Sequence, residues 1–457
     1  MKKVIYSILI HLLRVAAGIK IRQVKPLIIG VTGSIGKTSC LHLLDAVIKT
    51  HYSVRTTFKA NSEAGLPLGI LGIRDKLSGF GVGGWLSAFL AIPGALLRRE
   101  SFQVLIAEMG VDSPFEPQNM GYLLKIVQPK IGLLLNIAPV HTQQFAAALP
   151  NDQKNDVGAL LSLIATEKGK LLISLPKNGT AIVNGDDERV VRIVPEIRAE
   201  VISVGEGSKN QVKLTGYSIT QKGSTFTYRY NKNDYTITFP DKLLFKEFGV
   251  TVGFVLAVAQ TLNIPLKEAI TAIEADYHEP AGRLTVITGK NSTTIIDSSY
   301  NSSPEALRVT LTLLSELKTK GKKILVLGDM RELGELAESE HKKAASQIKT
   351  VGDLIVLVGP LMTKYTAPEL VKTGHPKDKL LVFKTSEGVG EKLLPLLESG
   401  DIMLVKGSQN TVFLETIVKE VMAEPEKAKD LLCRQGKMWD EIREKYFSSH
   451  PNERVLP

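Results

Sequence analysis

The sequence predicts an α/β protein: a P-loop-type central domain with a mostly parallel sheet and an antiparallel appendage, followed by a Rossmann-like α/β C-terminal domain. Three observations predict this class. An apolar run at 27–32 breaks into closely spaced glycines and a Lys-Thr pair. Period-two stretches at 224–230 and 234–239 indicate an antiparallel meander. From 293 onward, short apolar strands alternate with helices, which is the pattern of a second parallel sheet.

The chain is too long for one ordinary core. At 457 residues, and with roughly 150 residues per domain, two or three domains are expected. We predict an N-terminal apolar helix at 1–24, a central domain at 25–279 and a C-terminal domain at 280–457. The last boundary falls at the turn-like sequence EPAGR, 279–283.

Two apolar stretches stand outside this alternation. Residues 4–19 are strongly apolar, but they are fewer than the ~20 that a membrane span needs and include His11 and Arg14. They fit a packed helix, an interfacial helix on the inner leaflet, or a signal peptide or span. The second stretch, 80–97, is broken by glycines and by Pro93, which favours a helical excursion over a span.

The glycine-rich stretch 27–39 predicts strand, phosphate loop and helix. Gly30, Gly33 and Gly36 permit a tight turn with the N–H groups pointing inward. The helix that begins near Lys37 adds its positive dipole end, which makes a cradle for phosphate. In such a loop Lys37 reaches the β- and γ-phosphates and the Thr38 hydroxyl binds Mg²⁺. The alternative is a glycine-rich turn that binds no ligand.

Polar side chains follow two more predicted strands. Glu108 comes directly after the apolar run 102–107, and His141 follows the strand at 130–136. Because ligands collect at the carboxyl ends of parallel strands, we expect both at the same sheet edge as Thr38, in a plausible Mg²⁺ environment. Taken alone, His141 fits an ordinary loop histidine. Lys168 lies on the helix predicted at 162–172 and, taken alone, fits a solvated helix residue. Residues 59–68 are predicted to be a loop.

Composition narrows the function class. Lys and Arg exceed Asp and Glu by 57 to 47, which fits an anionic substrate, a nucleic acid or an anionic membrane. Without a basic tract interleaved with aromatics, nucleic acid is the weakest of the three. Cys40 and Cys433 are the two cysteines and lie far apart, so neither a disulfide framework nor a zinc site is indicated and a cytoplasmic location is the default.

The motifs of this chain resemble those of the Mur ligases, which are ATP-dependent amide-bond-forming enzymes of peptidoglycan synthesis, and they occur in the same order along the chain. They are Asn61 and the segments 32–38 (TGSIGKT), 65–68 (GLPL), 107–110 (AEMG), 136–141 (NIAPVH), 164–168 (IATEK), 184–187 (NGDD), 282–283 (GR), 296–304 (IDSSYNSSP), 327–334 (LGDMRELG) and 405–408 (VKGS). The last three look like the branch that adds D-alanyl-D-alanine to the UDP-N-acetylmuramoyl tripeptide. That branch normally carries a separate N-terminal UDP-binding domain. Only about 25 residues precede the loop here, so uridine recognition is unexplained.

The resemblance implies a role for each matching position. The catalytic set is Lys37, His141, Lys168 and Arg283. The nucleotide contacts are Gly33, Ser34, Ile35, Gly36, Lys37, Thr38, Ser39, Asn136, Arg283 and Asp297. The metal ligands, for two Mg²⁺ sites, are Thr38, Glu108, His141 and Lys168, the last as a carbamylated lysine. The substrate contacts are Asn61, Tyr300, Asn301, Asp329, Lys406 and Ser408.

The implied reaction is phosphoryl transfer followed by acyl transfer. The tripeptide carboxylate attacks the γ-phosphorus of ATP, and the amine of D-Ala-D-Ala then displaces phosphate from the acyl phosphate. The alternatives are a divergent ligase for another carboxylate and amine, and a non-catalytic nucleotide-binding scaffold of cell-wall assembly. We expect a cytoplasmic monomer that binds no nucleic acid, with peripheral contact to the inner face of the membrane through residues 4–19.

Overall fold

The structure is a computed structural model that describes residues 2–58, 60–73, 82–139, 142–153, 156–276, 281–331, 333–408, 412–452 and 454–455. The chain forms two compact units. The first comprises 1–217, 226–237 and 246–277. The second comprises 218–225, 238–245 and 278–457.

Helices and strands alternate along most of the chain. The helices are α1 (Lys2–Val24), α2 (Lys37–Ile48), α3 (Gly65–Leu71), α4 (Val82–Leu97), α5 (Met120–Leu124), α6 (Thr142–Ala146), α7 (Val157–Ile173), α8 (Glu188–Val191), α9 (Lys246–Thr261), α10 (Leu266–Asp276), α11 (Pro304–Glu316), α12 (Ala337–Val351), α13 (Ala367–Lys372), α14 (Val389–Leu393), α15 (Glu415–Val421), α16 (Ala428–Leu431) and α17 (Lys437–Ser449). The strands are β1 (Leu27–Thr32), β2 (Val54–Thr56), β3 (Val104–Glu108), β4 (Ile131–Leu134), β5 (Thr180–Asn184), β6 (Glu200–Gly205), β7 (Val212–Thr220), β8 (Gly223–Tyr230), β9 (Asn233–Pro240), β10 (Thr285–Gly289), β11 (Thr293–Ser298), β12 (Lys323–Gly328), β13 (Leu354–Val358), β14 (Leu380–Phe383), β15 (Ile402–Lys406) and β16 (Arg454–Val455).

The larger sheet has the order β2-β3-β1-β4-β5-β6-β7-β8-β9. Its strands are parallel from β2 to β7, and the register sets Val31 of β1 beside Glu108 of β3 and Thr32 beside Leu134 of β4. All five residues of β3 are buried, as expected for a strand covered on both faces. The last three strands are joined by two-residue hairpin connections, which form the predicted antiparallel appendage.

The second sheet has the order β10-β11-β15-β12-β13-β14-β16. The five central strands are parallel, and β10 and β16 are antiparallel edges. Those two edges are absent from the sequence prediction. The parallel strands match the predicted alternation from 293 onward, so the predicted fold class is confirmed for both sheets.

One predicted loop is wrong in its second half. Residues 65–68, placed in a loop at 59–68, begin helix α3. Leu66, Leu68 and Leu71 are buried there, so tertiary packing stabilises a turn-rich sequence as a helix. Pro67 lies in its first turn, where a missing N–H does no harm.

The N-terminal apolar segment is a packed helix. Leu13 and Ala17 of α1 are completely buried and belong to the same hydrophobic cluster as buried residues of α3 and α4. In the described part of the chain, no helix has both the length and the apolar character that crossing a membrane requires. The second apolar segment is helical from Val82 onward and includes Pro93, as predicted.

Candidate functional site

The phosphate loop joins the end of β1 to the start of α2. Gly36 has φ of +85° and precedes the first residue of the helix, a left-handed conformation that L side chains rarely adopt. Gly33 lies against the chain just after β4, because a Cβ there would come 3.0 Å from that of Leu135. Both glycines are therefore required by the path of the backbone.

Asn136 ties this loop to the loop after β4. Its Oδ1 accepts from the Ile35 N–H at 2.9 Å, and its Nδ2 donates to the Ile35 carbonyl at 3.0 Å. The Asn136 carbonyl accepts from the Ser34 N–H at 3.0 Å, and the Ser34 hydroxyl exchanges hydrogen bonds with the Ala138 backbone. Six backbone groups of the two loops are thus held in register.

Lys37 folds back over the loop. Its Nζ donates to the Gly33 carbonyl at 2.8 Å and more weakly to that of Ser34 at 3.4 Å. Burial lowers the pKa of Lys37, while the carboxylates of Glu108 and Asp112 act in the opposite direction. The Thr38 and Ile35 side chains are exposed at the mouth of the loop.

Glu108 ends β3 next to this loop and is almost fully buried. Its Oε1 accepts from Nδ2 of Asn61 at 3.2 Å, and its backbone N–H donates to the Thr57 hydroxyl. Gly110 makes this approach feasible, because a Cβ there would be 3.0 Å from three Asn61 side-chain atoms. The predicted metal ligand Glu108 and the predicted substrate contact Asn61 are therefore in direct contact.

Lys168 reaches the same edge from α7. The side chain is 2% exposed, and its Nζ lies 3.4 Å from the Val111 carbonyl. Burial, followed by the positive charge of Lys37, lowers the pKa of Lys168 from 10.5 to about 8. Asp112 and Glu167 oppose that shift. The structure thus gathers Lys37, Glu108 and Lys168 at the end of the central strands.

The predicted ligand His141 lies outside the described residues, so the structure does not place it. Among the residues described, no group of three His, Cys, Asp or Glu side chains could hold a metal. The oxygen donors at the edge include the carboxylates of Glu108 and Asp112 and the Thr38 hydroxyl, types that suit Mg²⁺ when nucleotide phosphate supplies the rest. Lys168 fits the same environment because burial lowers its pKa to about 8, so more of it is the neutral amine than in an ordinary lysine, whose ammonium would repel a cation.

Sequence analysis named the motif at 184–187 but assigned no role to its residues, which brace this edge. Asp187 accepts from the Ile137 N–H at 2.9 Å and also caps α8 through the Arg189 N–H. Asn184 donates to the Leu135 carbonyl at 3.0 Å. The motif NGDD at 184–187 therefore fixes the loop after β4. Its polar spacing is the signal, but it does not reveal which loop is held.

A second group of predicted residues lies at the carboxyl ends of strands in the second unit. Asp297 is completely buried, and burial raises the pKa of its carboxyl to about 6. Lys406, on β15, donates to the Ser298 hydroxyl at 3.2 Å and to the Asn301 carbonyl at 3.1 Å. Burial and then the nearby Arg283 lower the pKa of Lys406 to about 8. The Arg283 guanidinium lies 4.9 Å from the ring centre of Tyr300.

Asp329 and Ser408 close the same edge. Oδ1 of Asp329 accepts from the Met362 N–H at 2.8 Å, so this carboxylate is engaged with backbone beyond β13. The Ser408 hydroxyl donates to the Ser302 carbonyl at 3.1 Å and accepts from the Arg331 N–H at 2.9 Å. The loops after β11, β12 and β15 are thereby joined.

Arg434 was not predicted and holds the loop that carries Tyr300. Its guanidinium forms a two-pronged ion pair with the buried Glu415, at 2.9 and 2.8 Å. It also donates to the carbonyls of Ser299 at 2.8 Å and Tyr300 at 3.0 Å. An arginine in a polar tail gives no sequence signal of such a contact.

Comparison with known families agrees with this architecture. The profile of the Mur ligase middle domain matches residues 31–242, and that of the Mur ligase glutamate ligase domain matches 282–409. The chain therefore belongs to the Mur ligase family.

The relatives that this chain resembles are named for the same enzyme activity. The chain is 26% identical over 400 residues to the UDP-N-acetylmuramoyl-tripeptide–D-alanyl-D-alanine ligase of Bacillus subtilis, covering 87% of this chain and 76% of the relative. With the Escherichia coli enzyme of that name, identity is 22%, and coverage is 87% of this chain and 77% of the relative.

Solved structures share the fold. MurF from Acinetobacter baumannii superposes with a TM-score of 0.66 at 21% identity, covering 88% of this chain and 78% of that one. MurF ligase from Thermotoga maritima in complex with ADP superposes with a TM-score of 0.65 at 22% identity, covering 92% of this chain and 84% of that one.

Proposed function

We propose that this chain is an ATP-dependent amide-bond-forming ligase of peptidoglycan precursor synthesis, which joins D-Ala-D-Ala to the carboxylate of a UDP-MurNAc-tripeptide with formation of ADP and phosphate. The observation that carries the proposal is the meeting of Lys37, Glu108 and Lys168 beside the phosphate loop. The printed names of the relatives supply the substrates, and the chemistry of this edge supplies the reaction type.

In the first step, the phosphate loop holds the β- and γ-phosphates of ATP. The N–H groups at the start of α2 point toward the anion, and Lys37 exchanges its loop carbonyls for phosphate oxygens. A tripeptide carboxylate oxygen attacks the γ-phosphorus, ADP leaves, and an acyl phosphate forms. Because negative charge accumulates on the transferring phosphoryl group, fixed cations and N–H groups stabilise the transition state.

The Glu108 carboxylate and the Thr38 hydroxyl would hold Mg²⁺, with Lys168 contributing as a carbamate and His141 as a further ligand. The metal supplies positive charge that offsets the phosphate oxygens. Lys168 is suited to carbamylation because, with a pKa of about 8, about one molecule in ten carries the reactive neutral amine at pH 7. Glu167, the residue before Lys168, accepts from the Met120 N–H and so fixes this part of α7.

In the second step, the free amine of D-Ala-D-Ala attacks the acyl carbonyl, the C–O bond to phosphate breaks, and the amine loses a proton. Lys406 and the Ser408 hydroxyl are proposed to lie near the carboxylate of this dipeptide. The Nζ of Lys406 already bonds to the loop after β11, so the cation is held in place before substrate arrives.

The remaining roles stay predictions. Substrate contact is proposed for Asn61, Tyr300, Asn301 and Asp329, and nucleotide contact for Asn136, Arg283 and Asp297. Domain boundaries at 24 and 279, monomeric state and a cytoplasmic location, which the use of ATP favours, are proposals of the same kind.

Phosphate release from ATP tests the reaction. We expect release that needs both the UDP-linked tripeptide and D-Ala-D-Ala. Lys37→Ala should abolish it, whereas Lys49→Ala, at the exposed far end of the same helix, should not. Release with a different amine would indicate a divergent ligase, and no release with any pair would indicate a scaffold. Either result would contradict the proposed function.

A further inference from the structure

Helices α1 and α4 form a parallel pair on the first unit. Near their starts, the rings of Tyr6 and Trp85 meet edge to face at 5.9 Å. Near their ends, the buried Lys20 donates to the carbonyls of Ala95 at 2.9 Å and Arg98 at 2.8 Å. These carbonyls are the unpaired acceptors at the end of α4, so Lys20 caps that helix and joins it to α1.

Helix α4 is apolar around its whole circumference. It has no charged residue from Val82 to Leu97. Ala88 and Ala95 are buried, whereas Leu90 is 73% exposed and Leu97 is 82% exposed. A helix that is apolar on every side is ordinarily covered on every side, by protein or by lipid.

Helix α1 presents a second apolar stripe. Ile8, Leu12 and Val15, at helical spacing, are 55%, 49% and 44% exposed. They lie away from the face that buries Leu13 and Ala17. Water-facing aliphatic side chains on two adjoining helices are costly in a protein that is dissolved on all sides.

The exposed charges on these two helices have one sign. Neither 1–44 nor 76–99 contains an acidic residue. Exposed cations follow both apolar faces, with Arg22 and Lys25 at the end of α1 and Arg98 and Arg99 after α4. The nearby Glu100 is engaged by Lys20, Arg55 and Arg98. A second copy would bring like charges together, whereas anionic headgroups would neutralise them.

We propose that the α1–α4 surface lies on a lipid bilayer that carries anionic headgroups. The exposed side chains of Leu90, Leu97, Ile8, Leu12 and Val15 enter the boundary between headgroups and acyl chains, and the arginines contact lipid phosphate. This is attachment to one leaflet, because α4 has 16 residues, fewer than the ~20 of a span. The inference is independent of the proposed ligase activity.

Vesicle sedimentation of the full chain tests this. We expect binding to phosphatidylcholine vesicles that contain about one third phosphatidylglycerol, weaker binding at high salt, and little binding to pure phosphatidylcholine. Arg22→Glu and Arg99→Glu should each lower the partition constant about fivefold through the lost cation alone, and more through the added repulsion. Leu90→Asp should abolish binding, whereas Leu336→Asp, at a residue of the second unit that is 61% exposed, should not change it.

Two further readouts separate lipid contact from other causes. Trp85 is one of the chain's two tryptophans, so in a Trp439→Phe background its fluorescence should be quenched by brominated acyl chains. Circular dichroism checks that the variants fold. Equal binding to both kinds of vesicle, absence of binding to either, or a dimer in light scattering that Leu90→Asp dissociates would each overturn the proposal.

Discussion

Lys168→Met is expected to stabilise the first unit and to abolish turnover. The wild-type ammonium is buried, and a pKa lowered from 10.5 to about 8 means that its charge costs folding roughly 3 kcal/mol at pH 7. Methionine fills a similar volume without charge. It gives up the long contact to the Val111 carbonyl, which contributes about 1 kcal/mol. The net gain is therefore about 2 kcal/mol.

The gain depends on pH in a defined direction. Between about pH 8 and pH 10.5, the unfolded lysine binds a proton that the folded lysine has released, so wild-type stability rises with pH. The advantage of Lys168→Met should accordingly shrink by about 2 kcal/mol between pH 7 and pH 9.5. The same substitution removes the amine that would be carbamylated, so phosphate release should be lost at every pH.

Urea unfolding, followed through Trp85 fluorescence in a Trp439→Phe background, measures this in the first unit. The buffer should be free of CO₂ and contain a chelator. Added bicarbonate and Mg²⁺ should then stabilise the wild type but not Lys168→Met. A variant less stable than wild type at pH 7, or one that still turns over, would refute the reasoning about Lys168.

Three further outcomes follow from the geometry. Gly36→Ala places a Cβ on a left-handed residue, so we expect loss of ATP binding by calorimetry with the fold retained by circular dichroism; unchanged affinity would contradict the loop assignment. Asn136→Ala removes two hydrogen bonds to Ile35. Each contributes about 1 kcal/mol and water compensates in part, so ATP affinity should fall about tenfold. An unchanged ATP affinity would show that the loop is fixed without these bonds. Asp297→Asn should flatten the pH dependence of the stability of the second unit, because a buried carboxyl with a pKa of about 6 makes wild-type stability fall as pH rises from about 4 to 6. Urea unfolding followed through Trp439 fluorescence in a Trp85→Phe background measures this stability, and an unaltered dependence on pH would contradict the expectation.

The fold class was predictable because parallel strands and the phosphate loop are local patterns. Apolar runs such as 104–108 indicate strands buried on both faces, and the glycine spacing at 30, 33 and 36 indicates the loop. The helix at 65–71 was not predictable in the same way. Its glycines and proline favour a turn, and only burial of its leucines makes it a helix.

The proximity of three candidate residues was predictable from the sequence, but the residues that support them were not. Lys37, Glu108 and Lys168 were predicted together because each belongs to a motif, and the structure brings them together. Asp187 and Arg434 brace loops that are distant in sequence, and nothing local in a chain reports such contacts. The engagement of Asp329 with the Met362 N–H was equally invisible, since it depends on packing between strands.

The transfer of oxygen from substrate to phosphate tests the central claim most directly. The tripeptide is prepared with ¹⁸O in its terminal carboxylate and is incubated with ATP, Mg²⁺, D-Ala-D-Ala and the full chain, and the released phosphate is analysed by mass spectrometry. An acyl phosphate intermediate predicts one ¹⁸O atom in each phosphate. Phosphate without ¹⁸O would mean that water, and not the carboxylate, attacks ATP, which would contradict the account.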